Sequence, residues 1–139
     1  MLYFVVLLSM IAVAYGGTDG RPVVHLPKAV FEVINQAKVD CLKEKGLSDE
    51  IGEKFLKLDF TPDAGMKTFS YCLARKTNYC DDDGHFSDSF ITLFGDHKSK
   101  DEIQKVVDKC NKIKKDTTTN TFFDVMVCFF KDTPVLVLP

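Results

Sequence analysis

Apolar residues recur every three or four positions along most of the chain, which is the spacing of one face of an α-helix. The first such stretch lies between Pro27 and Gly46. Proline suits the first turn of a helix and glycine commonly follows its end, so the pattern predicts a helix over residues 28–45. Its apolar face consists of Val30, Ile34, Ala37 and Cys41.

Three shorter helical segments are predicted next. Ser48 can cap the second helix, Thr61 and Pro62 open a third that should run to about residue 78, and Ser87 can cap a fourth. Gly95 ends the fourth segment. The three apolar faces are, in order, Ile51, Phe55 and Leu58; Met66, Phe69 and Leu73; and Phe90, Ile91, Leu93 and Phe94.

The last two predicted helices differ in character. Ser99 and Glu102 form a capping-box pattern before an amphipathic fifth helix. The segment 122–130 is apolar nearly all round, which indicates a helix surrounded by others. A β-strand is the alternative there, because the run is short and rich in Phe and Val, although no other segment alternates as a partner strand would. The fifth helix carries Ile103, Val106, Val107, Cys110 and Ile113 on one face.

Both ends of the chain are apolar. Residues 2–14 form a nearly continuous apolar run that is shorter than the roughly 20 residues of a membrane-spanning helix, and small residues follow it. This pattern predicts a secretory signal peptide over 1–16, with a signal anchor as the alternative, and a single domain over 17–139. Two prolines prevent the last helix from continuing into the apolar tail, 132–139.

Charge and cysteine content narrow the class of protein. The net charge is −2, and Lys and Arg are spread among Asp and Glu, which excludes a nucleic-acid-binding stripe. Export to an oxidising compartment makes the cysteines candidates for disulfides. Five cysteines allow fifteen ways of forming two bridges with one thiol left over, so counting alone does not choose between them.

The signal peptide, the order of six helices and the cysteine placement resemble the insect odorant-binding protein family, of the pheromone-binding and general-odorant-binding type. Six-cysteine members place three residues between the second and third cysteines and eight between the fifth and sixth. Counted back from Cys72 and Cys128, those positions hold Thr68 and Thr119. The second and fifth cysteines pair in the family, so this chain lacks one whole bridge and resembles the minus-C subgroup.

This resemblance implies an all-α fold of six short helices around a hydrophobic cavity, held by two interhelical disulfides. The implied bridges are Cys41 with Cys72 and Cys110 with Cys128. Cys80 is then a free thiol, for which a buried apolar filler is preferred over an exposed redox-prone thiol or a dimer link. The chain is expected to be a monomer or a weak homodimer.

The implied function is that of a secreted carrier in extracellular fluid. It would transport a small hydrophobic ligand, such as an odorant, a pheromone or another lipophile, without catalysis, cofactor, metal or stable membrane insertion. A haemolymph or gland carrier unrelated to smell is the alternative, and an odorant receptor is a candidate partner. The expected cavity lining is Ile34, Met66, Phe69, Leu73, Phe90, Phe94, Val106, Met126 and Phe129. The expected lid is Val135, Leu136, Val137 and Leu138.

Polar residues add weaker candidates. Ser70, Tyr71 and Thr119 are possible polar anchors for a ligand, and His85 and His97 are possible pH sensors. These five side chains are also ordinary surface or capping residues, which is the commoner role.

Other functions fit the residues less well. The turn 81–84 matches three positions of a calcium-binding loop, but Tyr79 and Phe90 stand where the first ligand and the bidentate carboxylate belong. A small secreted enzyme acting on lipids remains the alternative from another class, although none of the three histidines is followed by the Asp of a secreted phospholipase. A protein with a solid core is a third possibility, since most of the 12 Phe could simply fill an interior.

Overall fold

The structure, a computed structural model, describes residues 20–138. The predicted signal peptide, 1–16, and the last residue of the tail lie outside the described residues. The elements within 20–138 are, in chain order, β1 (Val23–His25), α1 (Lys28–Glu44), α2 (Asp49–Leu56), α3 (Ala64–Lys76), α4 (Asp88–Thr92), α5 (Lys100–Cys110), α6 (Thr118–Asp132) and β2 (Leu136–Leu138). The predicted order of six helices is therefore confirmed.

The C-terminal helix is the centre of the packing. The segment 122–130 is helical, as its all-round apolarity indicates, and the helix is longer than predicted at both ends. α6 packs against α3 and α5, while α3 also contacts α1 and α2. Phe129 on α6 is fully buried, and its ring lies 5.0 Å from that of Phe90 on α4.

Two helices begin with a side-chain cap. The Asp63 carboxylate accepts a hydrogen bond of 2.8 Å from the Met66 N–H, so α3 begins at Ala64 rather than at the predicted Thr61 and Pro62. The Thr117 hydroxyl accepts one of 3.1 Å from the Asn120 N–H at the start of α6.

The prediction of three serine caps is wrong. Ser48, Ser87 and Ser99 precede their helices, but none of them forms a capping side-chain hydrogen bond. Ser87 instead donates its hydroxyl to the Asn78 carbonyl at 2.5 Å. Ser99 has φ −91° and ψ 8°, which is not the extended backbone of a capping residue, so the capping box does not form.

Four residues expected on helix faces lie beyond the helix ends, namely Leu58, Leu93, Phe94 and Ile113. Leu58 has φ 58° in the turn after α2, and Ile113 follows the end of α5. Both remain partly buried. Apolar spacing therefore identified the side of the chain that contacts the core. The same spacing continues past the last helical residue, so it did not locate the helix ends.

A two-stranded parallel sheet joins the two ends of the described chain, which the all-α prediction did not include. β1 pairs with β2 in the register Val23 to Leu136 and His25 to Leu138. The Arg21 guanidinium donates hydrogen bonds to the Phe130 carbonyl, at 2.7 Å, and to the Thr133 carbonyl, at 3.1 Å. The pairing gives backbone partners to an apolar tail that cannot continue the helix.

Two disulfides tie the helices together in the pairing that the resemblance implies. Cys41 bonds to Cys72 and links α1 to α3, and Cys110 bonds to Cys128 and links α5 to α6. Cys80 is unpaired and buried. Each bridge restricts the unfolded chain and contributes about 3 to 4 kcal/mol in the loop-entropy model.

Candidate functional site

An apolar cavity of about 120 Å³ lies inside the helical core. A cavity of about 150 Å³ in a protein interior binds benzene, so this volume is of the order that a very small apolar molecule needs. The wall is formed by Leu26, Phe31, Ile34, Phe55, Leu56, Leu58, Ser70, Leu73, Ala74, Thr77, Tyr79, Phe86, Phe90, Leu93, Phe122, Met126, Phe130 and Val137.

Helical spacing explains most of the wall. Phe122, Met126 and Phe130 follow one another at intervals of four residues along α6 and so share one face. The same rule brings Ser70, Leu73 and Ala74 to the cavity face of α3, and Thr77 continues that face at the end of the helix.

A loop supplies another part of the wall. The Phe86 N–H donates to the Asn111 side chain at 3.0 Å, and the Asn111 amide donates to the Phe86 carbonyl at 3.1 Å. This exchange fixes the loop before α4 against the end of α5. The Phe86 ring then stacks on the Phe90 ring with the centroids 4.0 Å apart.

Four of the nine predicted lining residues line this cavity, and five do not. Those that line it are Ile34, Leu73, Phe90 and Met126. Those that do not are Met66, Phe69, Phe94, Val106 and Phe129. Met66, Phe69, Phe94 and Phe129 are buried in the solid part of the core. Val106 is partly exposed on α5. Amphipathic spacing separates buried from exposed faces, but it does not separate a cavity wall from close packing.

Several wall residues escaped the prediction. Phe122 and Phe130 could have been found, because they lie one turn on either side of Met126. Leu26 could not, because the strand pairing beside it joins residues far apart in sequence, whereas Val137 was expected at the cavity as part of the lid.

The predicted lid residues occupy three different environments. Val135 and Leu136 are buried in the core, and Val137 lines the cavity. The carbonyl of Leu138 accepts a hydrogen bond of 3.1 Å from the Leu26 N–H. The tail is therefore part of the cavity wall in this structure.

Three hydroxyl groups are the polar side-chain groups of the wall. The Ser70 hydroxyl donates to the Met66 carbonyl at 2.7 Å, and the Thr77 hydroxyl donates to the Leu73 carbonyl at 2.8 Å. Both are thus used within α3. Tyr79 is partly buried, and burial raises the pKa of its phenol. The predicted anchors Tyr71 and Thr119 do not line the cavity.

The loop after Tyr79 holds the free thiol. Cys80 is 4% exposed, and burial, with a further contribution from the Asp81 carboxylate, raises the pKa of the thiol to about 12. The Asp81 carboxylate accepts hydrogen bonds of 2.9 Å from the N–H groups of Asp83 and His85. It therefore serves the turn that its sequence predicts.

The two candidate pH sensors bond to the backbone. The His85 Nε2 lies 2.9 Å from the Ile113 carbonyl, and the His97 Nδ1 accepts a hydrogen bond of 3.1 Å from the Ser99 N–H. Across residues 20–138, no cluster of three or more His, Cys, Asp or Glu could hold a metal ion, and no helix is long and apolar enough to cross a membrane.

A small helical domain stapled by two disulfides around an apolar cavity is the architecture of a carrier for small hydrophobic ligands. The chain belongs to the PBP/GOBP family, whose model matches residues 24–132. This is the family of insect odorant-binding proteins that the cysteine placement suggested. The two bridges fit its minus-C subgroup.

Sequence relatives and solved structures agree with that assignment. The B1 protein and the B2 protein of Tenebrio molitor are each 28% identical to this chain over 106 residues, which covers 75% of this chain and 81% and 82% of theirs. A fatty acid binding protein from the oral disk of the blowfly Phormia regina shares the fold, with a TM-score of 0.67, 23% identity, and coverage of 78% of this chain and 96% of that one.

Odorant Binding Protein 7 of Anopheles gambiae, with four disulfide bridges and in complex with an azo compound, also has this fold. Its TM-score is 0.63 at 20% identity, with 76% of this chain and 86% of that chain covered. The similarity extends over most of the described helices, although the two proteins differ in the number of their bridges.

Proposed function

We propose that this chain is a secreted carrier that holds a small hydrophobic ligand in the cavity between its helices and moves it through extracellular fluid. The observation that carries the proposal is the cavity itself, which is walled almost entirely by aliphatic and aromatic side chains. The fatty acid bound by the blowfly protein and the azo compound bound by the mosquito protein support a ligand of this class.

Binding in such a cavity is driven by removing apolar surface from water. Each Å² contributes about 25 cal/mol, and part of this gain is offset by the loss of the ligand's free motion. Few wall groups form hydrogen bonds, so the cavity selects ligands mainly by their shape and size. Selection of this kind discriminates weakly between similar ligands. The carrier is therefore expected to bind several lipophiles with affinities around micromolar, without a catalytic residue.

The tail completes the proposal as the movable part of the wall. Val137 is held to the cavity by the backbone pairing of β2 with β1 rather than by a helix. Two short strands are a weak unit on their own, so the tail is the part of the wall that opens most easily. An odorant receptor is a candidate recipient of the released ligand.

A fluorescent probe tests the carrier function. N-phenyl-1-naphthylamine is expected to bind the mature protein saturably and to be displaced by a second lipophile. Replacing the buried cavity residue Ala74 with leucine should fill part of the cavity and weaken probe binding about tenfold or more. Ala29→Leu, on the exposed side of α1, is the matched control and should leave binding unchanged.

Two results would contradict the proposal. One is the absence of saturable probe binding by folded protein, which is what a solid core predicts. The other is equal probe affinity in the Ala74 and Ala29 variants, which would place the probe outside this cavity.

A further inference from the structure

The turn after α3 contains a three-residue pattern that ligand binding does not explain. Asn78 is followed by Tyr79 and Cys80. Asparagine with Ser or Thr two residues later is the acceptor sequence for N-linked glycans in secreted chains, provided that the middle residue is not proline. Cysteine carries a thiol where serine carries a hydroxyl, and the thiol donates a weaker hydrogen bond of the same kind. We infer that Asn78 is an N-glycosylation site, with Cys80 in the place of the hydroxyl residue.

No other asparagine of the chain begins such a pattern. Each of the other three is followed two positions later by an apolar residue, namely Asn35 by Ala37, Asn111 by Ile113 and Asn120 by Phe122. An N-linked glycan on this chain is therefore expected at a single position.

The acceptor sequence needs a thiol that is not part of a disulfide, because a disulfide sulfur has no S–H to donate. Cys41 pairs with Cys72 and Cys110 pairs with Cys128, while Cys80 is unpaired. The pairing of the other four cysteines therefore leaves the required donor in place.

The folded structure accommodates a glycan at Asn78. The residue is exposed, and within residues 20–138 its side chain forms no hydrogen bond with another residue. Its backbone makes the local contacts instead: the N–H donates to the Arg75 carbonyl at 3.2 Å, and the carbonyl accepts from the Ser87 hydroxyl at 2.5 Å. Its φ of 62° is a left-handed conformation that asparagine adopts more readily than most residues. A sugar on the side-chain nitrogen therefore displaces no contact of the fold.

The burial of Cys80 determines when the glycan is attached. Cys80 is 4% exposed, whereas Asn78 lies on the surface. A transferase that contacts both the amide and the thiol must act while this segment is still unfolded. Folding then buries the thiol, so molecules that are not modified by that time stay unmodified. The secreted protein is therefore expected as a mixture of glycosylated and unglycosylated molecules.

The transfer is a substitution at the first carbon of the sugar, and its donor is an oligosaccharide linked to a lipid pyrophosphate. The Asn78 side-chain nitrogen forms a bond to that carbon, and the bond from the carbon to the pyrophosphate oxygen breaks. The lipid pyrophosphate leaves with the electron pair of that bond, and the amide nitrogen gives up one proton to a base of the transferase. No group is oxidised or reduced.

This inference rests on the proposed secretion, because the modification belongs to secreted chains. Expression of the full chain, residues 1–139, in insect cells tests it. Trypsin cuts after Lys76 and Lys98 and releases the peptide 77–98. A peptide N-glycosidase in heavy-oxygen water then converts a glycosylated Asn78 into a labelled aspartate, which mass spectrometry detects. The label is expected in part of the molecules.

Three variants identify the groups involved. Cys80→Ser replaces the thiol with a stronger donor, so it should raise the labelled fraction at least about twofold. Cys80→Ala removes the donor and keeps the acceptor, so it should abolish the label. Asn78→Gln keeps an amide but not the acceptor residue, and it should also be unlabelled. Chains retained in the cells are measured together with the secreted ones, so a variant that folds poorly still gives a result.

The outcomes separate the inference from the secretion beneath it. If the unmodified chain stays inside the cells without label, both fail. If it is secreted without label, the secretion stands and glycosylation of Asn78 is overturned, whether or not Cys80→Ser is labelled. Equal label in Cys80→Ala and in the unmodified chain would overturn the role of the thiol.

Discussion

The unpaired thiol of Cys80 is protected by its surroundings. Its side chain is 4% exposed, and its Sγ donates to the Asp81 carbonyl at 3.3 Å. The thiolate is the reactive form in disulfide exchange, and a pKa of about 12 keeps that form scarce at physiological pH. Burial therefore shields the two native bridges from reshuffling by the fifth cysteine.

Alkylation measures this protection. With the disulfides intact, Cys80 of the folded protein should react with iodoacetamide at pH 8 at least about 100-fold more slowly than free cysteine, because burial suppresses the thiolate. Mass spectrometry follows the single added group. The same chain in concentrated urea is the control and should react at the ordinary rate; rapid labelling of the native protein, or a disulfide-linked dimer on a non-reducing gel, would contradict the buried state.

Single residues show what could and what could not be predicted from the sequence. The turn at Gly84 was predictable from its composition, but the reason for glycine was not: its φ is +88°, and a Cβ there would lie 2.6 Å from the Thr118 carbonyl oxygen. Tyr79 was missed as a cavity residue because it follows α3 and belongs to no helical face. The disulfide pairs required the family resemblance, since counting left fifteen pairings open.

The two short strands form an element that depends on both ends of the chain. Val24 lies beside Val137, and Arg21 donates to carbonyls at the end of α6. Successive side chains of a strand point to opposite faces, so Val137 reaches the cavity whereas Leu138 does not line it. The pairing therefore sets which tail residue contacts a ligand.

This alternation predicts different effects for neighbouring substitutions. Val137→Ser keeps the backbone pairing but removes apolar contact from the wall, so it should raise the Kd of the fluorescent probe about three- to tenfold and speed its release. Leu138→Ser, one residue further along the strand, is the matched control. Stopped-flow displacement measures the rate of probe release from each variant. Identical rates for the two variants and the unmodified protein would show that the tail does not help to retain the ligand.

Element prediction succeeded where the information was local. The six helices, which are 5 to 17 residues long, follow from apolar spacing, although Ser99 shows that a capping sequence does not guarantee a cap. The strands could not be predicted in this way, because each is three residues long and its partner lies at the other end of the chain. Short parallel pairs of this kind are set by tertiary packing.

At the scale of the whole molecule, α3 and α6 are packed together without the bridge that six-cysteine relatives place between them. Contacts of two residues close to Thr68 on α3 show that the two helices meet near that position. The Lys67 ammonium lies 5.6 Å from the centroid of the Phe123 ring, and the Tyr71 and Phe122 rings are 6.5 Å apart. Side-chain contacts therefore join α3 and α6 where no disulfide does.

Installing the bridge tests what its loss permits. Thr68→Cys with Thr119→Cys closes a loop of about 50 residues and should stabilise the fold by about 4 kcal/mol, with a higher melting temperature. Because α3 and α6 both line the cavity, the set of lipophiles that displace the probe should become narrower. The double serine variant controls for the loss of threonine. If the bridge forms and the ligand set is unchanged, its absence does not explain a broad ligand range.

The overall fold class was predictable because the cysteine framework and the helical pattern agree. The cavity was predictable only as a family expectation, because wall and solid core are built from the same apolar residues. Phe69 and Leu73 share the buried face of α3, yet only Leu73 lines the cavity. The difference is set by how neighbouring helices fill space around them, which no single segment encodes.

The meeting of the first and last strands has a thermodynamic consequence. Leu26, next to β1, and Val137, in β2, both touch the space that a guest would occupy. Strand pairing and occupancy are then linked equilibria, and linkage is reciprocal. The free energy that the pairing of β1 with β2 adds to ligand binding equals the free energy by which a bound ligand stabilises that pairing. The two strands are therefore paired more firmly when the cavity holds a ligand than when it is empty.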